Sequence, residues 1–147
     1  MRVLLAEDSG VMRKIIRGLL EDVGILAVTE AADGAQAVAS FKAGEFDLVL
    51  TDWNMPNKSG LDVVREIRAT GSAVPIIMIT TEAEKERIAD AIHAGASNYL
   101  VKPFDHKKLC DMLNNHMAAQ AGDSSAKWFP QFVSHATPSS VWGKRVS

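Results

Sequence analysis

Four short apolar runs in this sequence end on residues able to do chemistry. VLLA (3–6) leads into Glu7 and Asp8, and LVL (48–50) leads through Thr51 to Asp52. VPIIMIT (74–80) ends on Thr80 beside Thr81, and the run from Asn98 ends on Lys102, just before Pro103. Each residue alone has a plainer reading. Asp52 could cap a turn, Glu7 and Asp8 could be helix N-terminal charges, Thr80 a β-branched strand residue, and Lys102 a solvated surface group. If the strand ends share one edge of a sheet, three carboxylates, a hydroxyl and an ammonium converge there. Clustered carboxylates repel one another unless a cation sits among them. Magnesium fits such a set, because it takes oxygen ligands from one or two carboxylates and keeps room for a phosphate. Zinc does not: Cys110 falls on a helix, and His93, His106, His116 and His135 show no paired spacing. With its charge offset by magnesium, Asp52 becomes a nucleophile toward a phosphoryl group. Lys102 and the metal would take up charge on the transferred oxygens, and the Thr80 hydroxyl could bond one of them.

The elements that must position these groups are legible in the periodicity. Val3–Ala6 reads as a first buried strand. Ser9 can cap a helix whose apolar face runs through Met12, Ile15, Ile16, Leu19, Leu20 and Val23 to a stop at Gly24. Leu26–Ala31 reads as a weaker strand near an edge, followed by a turn at Asp33-Gly34 and a small helix ending at Gly44. The Asp52 strand is third, and its uniform apolarity implies cover on both faces. Leu61, Val64 and Ile67 mark the next helix, closed by Gly71. Val74–Thr80 is a fourth strand, 82–94 a helix ending at Gly95, and Asn98–Lys102 the fifth strand. Asp105 can cap a last helix built on Leu109, Met112, Leu113 and Met117. Five alternations with short connections predict an α/β fold. Its five parallel strands are doubly wound, with helices on both faces and right-handed crossovers.

Composition narrows the class. A length of 147 residues suits one domain, and 47% hydrophobic with 23% charged residues is ordinary for a globular protein. A net charge of −2 offers no field for nucleic acid or an anionic membrane, so neither is expected as a partner. One cysteine forms no intrachain disulfide and suits the cytoplasm, and the apolar run at the start is too short for a signal peptide or a membrane span. After about Gln120 the character shifts. A linker-like GDSS (122–125) precedes AKWFPQFV (126–133), and the segment as a whole carries one acidic and three basic residues. The expected organisation is therefore a domain over 1–121 and an extension over 122–147. The plain reading of this extension is a disordered segment with incidental aromatics; against it, clustered Trp128, Phe129, Phe132 and Trp142 suggest that it docks on a face of its own or a neighbouring domain.

Taken together, AEDS (6–9), DWNMPNKSG (52–60), MITTEAEKE (78–86) and AGASNYLVKPF (94–104) resemble the motifs of the response-regulator receiver domain, in order and spacing, over about residues 1 to 118. Within that family the chain is most similar to the CheY-like chemotaxis regulators. The resemblance implies a flavodoxin-like α/β/α sandwich with Asp52 as phosphoacceptor, and Glu7 and Asp8 as the magnesium-binding acidic pair. It also implies the Asn54 backbone carbonyl as a further metal ligand and Lys102 as the phosphoryl contact. Thr80 and Tyr99 match the pair whose movements follow phosphorylation. Asn54 and Glu82 match positions that tune phosphoryl lifetime, and a cis peptide is implied between Lys102 and Pro103. Three residues depart from the pattern: Glu7 replaces the commoner Asp, Thr81 is bulkier than usual and would restrict attack by water, and Met112 stands where a lysine often holds the motor peptide.

The resulting expectation is a stand-alone regulator rather than an enzyme. A histidine kinase donates the phosphoryl group, and the phosphorylated form binds a downstream protein, with the flagellar motor switch as candidate. Residues 119–147 are too few for an output domain. A phosphate sink or relay receiver is the alternative within the fold. An aspartate-nucleophile phosphatase is the rival from another class; it would carry a second Asp two residues after the nucleophile, where this chain has Asn54. A flavodoxin-like cofactor binder would want a phosphate-cradling loop after the first strand, which the Glu7-Asp8 pair opposes.

Overall fold

The computed structural model describes residues 1–120, with side chains to His116. The boundary expected at 121/122 and the docking of 126–133 lie outside the described residues, as does the side chain of Met117. The strands are β1 (Arg2–Ala6), β2 (Ala27–Ala31), β3 (Leu48–Asp52), β4 (Ile76–Thr80) and β5 (Asn98–Val101). The helices are α1 (Gly10–Asp22), α2 (Gly34–Ala43), α3 (Gly60–Ala69), α4 (Ile88–Ala94) and α5 (His106–Gln120). All strand pairs are parallel, and the sheet order is β2-β1-β3-β4-β5. The chain leaves β1 toward β2 on one side and returns to β3 on the other. The direction of winding therefore reverses between β1 and β3, which opens a crevice at their carboxyl ends.

Alternation along the strands builds two cores, because successive side chains point to opposite faces. Val3, Leu5, Leu48, Leu50, Ile77 and Ile79 pack with Ile16, Leu19 and Leu20 of α1 and Leu109 and Leu113 of α5. Leu4, Ala6, Val49, Ile76 and Met78 pack on the other face with Ala37, Val38, Val63, Val64 and Ile67. The three central strands are therefore apolar on both sides. β2 lies at the edge, as its polar interruptions predict, and Leu26 before it is 72% exposed rather than part of the strand.

Caps fix where the helices begin. The Ser9 hydroxyl accepts from the Met12 N–H, and Asp33 accepts from the Gln36 N–H. At α3, Ser59 and Asp62 exchange side-chain to backbone bonds in a capping box. Two differences from the predicted elements stand out. The fourth strand starts at Ile76 rather than Val74, because Pro75 has no N–H to give a ladder. The helix predicted over 82–94 begins as a 3-10 segment, Glu82–Arg87, and only α4 is α-helical. Among the described residues, no helix is long and apolar enough to cross a membrane.

Candidate functional site

The carboxyl ends of β1, β3 and β5 bring Glu7, Asp8, Asp52 and Lys102 together at the crevice. Carboxylate oxygens of Glu7, Asp8 and Asp52 lie within 4.8 Å of one another. Glu7 is 2% exposed and Asp52 9%, whereas Asp8 is open to solvent. The Lys102 ammonium stands 3.7 Å from Glu7 Oε1 and 3.7 Å from Asp52 Oδ2. Asp52 Oδ1 accepts from the Trp53 N–H at 2.8 Å, which leaves Oδ2 facing the ammonium. Glu7 Oε2 accepts from the Ser9 N–H at 3.0 Å, while its buried Oε1 has no hydrogen-bond partner.

These placements set the electrostatics. Burial pushes the Glu7 carboxyl up to about 7, with the Asp52 charge adding and the Ser9 N–H and Lys102 opposing. Burial also raises Asp52, against the pull of Lys102 and the Trp53 N–H. An orphaned buried oxygen beside two more carboxylates fits a hard divalent cation that takes oxygen ligands. Glu7, Asp8 and Asp52 are the residues that would hold it.

Glycine shapes the loop behind Asp52. A Cβ on Gly60 would sit 2.0 Å from the Asp52 carbonyl oxygen, and Gly60 N–H donates to the Trp53 carbonyl at 2.7 Å. Asn57, at φ 71°, turns the loop in the left-handed region and donates to Asp33. The β5 end carries a cis peptide between Lys102 and Pro103, matching what the resemblance implies.

Thr80 shares the sheet edge, with its hydroxyl engaged by two neighbours. It accepts from the Trp53 indole N–H at 3.0 Å and donates to the Thr81 carbonyl at 3.2 Å. The distances bring Glu7, Asp8, Asp52 and Lys102 together, and the Thr80 hydroxyl at the same edge is held by an indole. Tyr99 is half-buried against the core face of α2, α3 and α4. Glu82 lies at the start of the 3-10 segment. It is exposed and pairs with Lys85 at 3.7 Å, whereas Glu84 accepts from the Asn54 side-chain amide at 2.9 Å. Met112 is 5% exposed and belongs to the α1/α5 core, so it presents no group for a peptide. Cys110 is buried among the same residues, and burial lifts its thiol to about 11, leaving it unreactive.

Sequence reasoning passed over Trp53, Glu84 and Arg13. The Arg13 guanidinium donates to the Glu7 carbonyl at 2.7 Å and pairs with Glu30, which also bonds Arg17. It thereby anchors the end of β1. Only the spacing of Arg13 after the Glu7-Asp8 pair, one turn into α1, could have pointed to it.

Comparison with known proteins agrees with this geometry. The family model described as the response regulator receiver domain matches residues 3–114. Chemotaxis protein CheY-3 of Vibrio cholerae is 42% identical over 116 residues, which covers 78% of this chain and 89% of that protein. The structure of the chemotaxis response regulator CheY4 of Vibrio cholerae superposes with a TM-score of 0.70 at 34% identity, covering 78% of this chain and 96% of that one. The receiver domain of a sensor histidine kinase from Pseudomonas aeruginosa has a TM-score of 0.71 at 37% identity, covering 78% and 94%. That structure has a magnesium ion coordinated in its active-site cleft. Receiver domains are regulatory phosphoacceptors rather than enzymes that turn over a foreign substrate. With the match spanning the whole doubly wound unit and its acidic crevice, this chain belongs to the response regulator receiver domain family.

Proposed function

We propose that this chain is a response regulator that accepts a phosphoryl group on Asp52 from a histidine kinase and signals by phosphorylation-dependent protein binding, in chemotaxis or flagellar motor control. One observation carries the reading. Asp52 is buried at the winding-reversal crevice, with one oxygen held by the Trp53 N–H and the other facing an ammonium beside an orphaned carboxylate oxygen.

Glu7, Asp8 and Asp52, with the Asn54 backbone carbonyl, would hold magnesium. When bound, the metal supplies positive charge against the carboxylates and the phosphoryl oxygens. The transfer forms a bond from Asp52 Oδ2 to phosphorus. The phosphorus–nitrogen bond of the phosphohistidine breaks, and its electron pair stays on the imidazole nitrogen. Lys102, already 3.7 Å from Oδ2, carries charge for the arriving oxygens. Phosphorylation adds nearly two negative charges and three strong acceptors. Thr80 then leaves the indole for the phosphoryl group, Tyr99 follows inward, and the face formed by α4, β5 and α5 changes shape for its target. Asn54, Glu82 and Thr81 are the positions the family pattern links to phosphoryl lifetime. A cytoplasmic location follows from a histidine kinase donor and a motor or relay target.

A second reading, a phosphate sink or relay receiver, is favoured by Met112. Its burial leaves the α5 surface without the lysine that often holds a motor peptide. The phosphatase rival is disfavoured, since the Asn54 amide has no acid/base capacity and is engaged by Glu84. The test is incubation with acetyl phosphate and magnesium followed by intact-mass measurement. Wild type should gain one labile phosphoryl group and Asp52→Asn none; equal gain by both would refute the assignment.

A further inference from the structure

The 3-10 segment Glu82–Arg87 is stitched to the loop after β3 at two points. At the first, Glu84 bridges two donors: Oε1 accepts from the Thr81 N–H at 3.1 Å, and Oε2 from Asn54 Nδ2 at 2.9 Å. At the second, the Arg87 guanidinium lies 4.4 Å from the Trp53 ring centroid, a cation–π contact over the indole that holds Thr80. The result is a carboxylate held against the side chain of Asn54, two residues past Asp52. Burial lifts the Asp52 carboxyl above its ordinary value, and the Glu84 charge adds to that lift. Glu82, two residues earlier, is turned outward to Lys85.

We propose that Glu84 is the rim residue that screens phosphoryl donors by charge: fixed by Asn54 and Thr81, its carboxylate opposes the approach of anionic donors to Asp52. This rests on the phosphoacceptor reading above. It gives Glu84, rather than Glu82, control over how readily the pocket is loaded from small molecules. A kinase that brings its own basic surface would be hindered less, so the same charge favours the protein donor over free metabolites. In the step concerned, the bond from Asp52 Oδ2 to phosphorus forms as the bond to the donor oxygen breaks. Acetate leaves with the electron pair, and no proton is transferred.

The experiment compares phosphorylation rates with acetyl phosphate and magnesium, at low and at about 1 M salt, in wild type, Glu84→Gln, Glu84→Lys and Glu82→Gln. The Glu84→Gln amide keeps both bonds: its oxygen accepts from Thr81, and its nitrogen donates to Asn54 once that amide turns over. It therefore removes charge without releasing the segment. One charge facing a doubly charged donor at a wet rim predicts a gain of roughly three- to tenfold at low salt. That gain should collapse toward wild type near 1 M salt, where the screening length falls to about 3 Å. Glu84→Lys should gain more, Glu82→Gln less than about twofold, and phosphoramidate, with less charge, should respond less than acetyl phosphate. A Glu84→Gln rate equal to wild type at low salt, or a gain unchanged by salt, would overturn the proposal. A wild type that takes up no phosphoryl group would overturn the underlying reading instead.

Discussion

The acidic crevice should make the metal-free protein lose stability as pH rises, and Glu7 should account for most of the loss. Its carboxyl is carried from an ordinary 4.5 up to about 7, chiefly by burial. The folded protein thus holds a proton that the unfolded chain has released, so stability falls as pH rises through this window. Lifting the carboxyl from 4.5 to about 7 corresponds to about 3 kcal/mol, fully lost above about pH 8. Asp52 is raised for the same cause and adds in the same direction. His116 is lowered by burial and acts oppositely, costing stability as pH falls below 6.5.

Glu7→Gln isolates the term. The amide oxygen keeps the bond from the Ser9 N–H, and the amide nitrogen replaces the orphaned oxygen. Urea denaturation at pH 5, 6, 7 and 8 with chelator present should show wild type declining by about 2.5 kcal/mol more than the variant. Contributions from His116 are common to both and cancel. Magnesium at about a hundred times its dissociation constant should return about 2.7 kcal/mol to wild type at pH 8, and less to the variant. Parallel pH curves for the two proteins, or equal magnesium stabilisation of both, would refute the reasoning.

Two further substitutions test how the site is held. Gly60→Ala puts a Cβ 2.0 Å from the Asp52 carbonyl oxygen, so it should destabilise by roughly 2–4 kcal/mol and displace Asp52, lowering magnesium affinity in a titration. Trp53→Phe keeps most of the buried ring but removes the indole N–H that reaches Thr80. It should cost roughly 1–3 kcal/mol in denaturant unfolding; a neutral result would mean that bond contributes nothing in solution.

The strands were legible because burial on both faces leaves uninterrupted apolar runs, and because the residues that end them are chemically distinct. Glu7, Asp8, Asp52 and Lys102 needed only the parallel topology to be brought together, and the cis peptide at Pro103 came with the family pattern. The bond from the Trp53 indole to Thr80 was not legible, because its two residues lie 27 apart on different strand ends, a contact no local pattern encodes. Glu84 was hidden by the wrong period. Read at 3.6 residues per turn, the 82–94 stretch gives no reason to prefer it over Glu82. In the 3-10 segment, three residues per turn and its bond to the Thr81 N–H turn it inward. Arg13 is similar, since a long side chain reaching back to a strand carbonyl leaves no periodic trace.

The resting bonds of Thr80 also bound what phosphorylation alone can achieve. Its hydroxyl is fully buried and satisfied twice, by the indole N–H and by the Thr81 carbonyl. Ordinary hydrogen bonds contribute about 0.5–1.5 kcal/mol each, and one to a charged acceptor about 1.5–3 kcal/mol. Moving Thr80 to a phosphoryl oxygen therefore gains about 1–2 kcal/mol at most, and less if the indole is left unpaired. A near-complete switch needs about 5.5 kcal/mol of bias between the two states. The Thr80 route falls well short of that. On the proposed reading, the remainder must come from Lys102 and from the target protein, which would bind the rearranged α4, β5 and α5 face more tightly than the resting one. Phosphorylation would then shift the population only partway, and the partner would complete the transition.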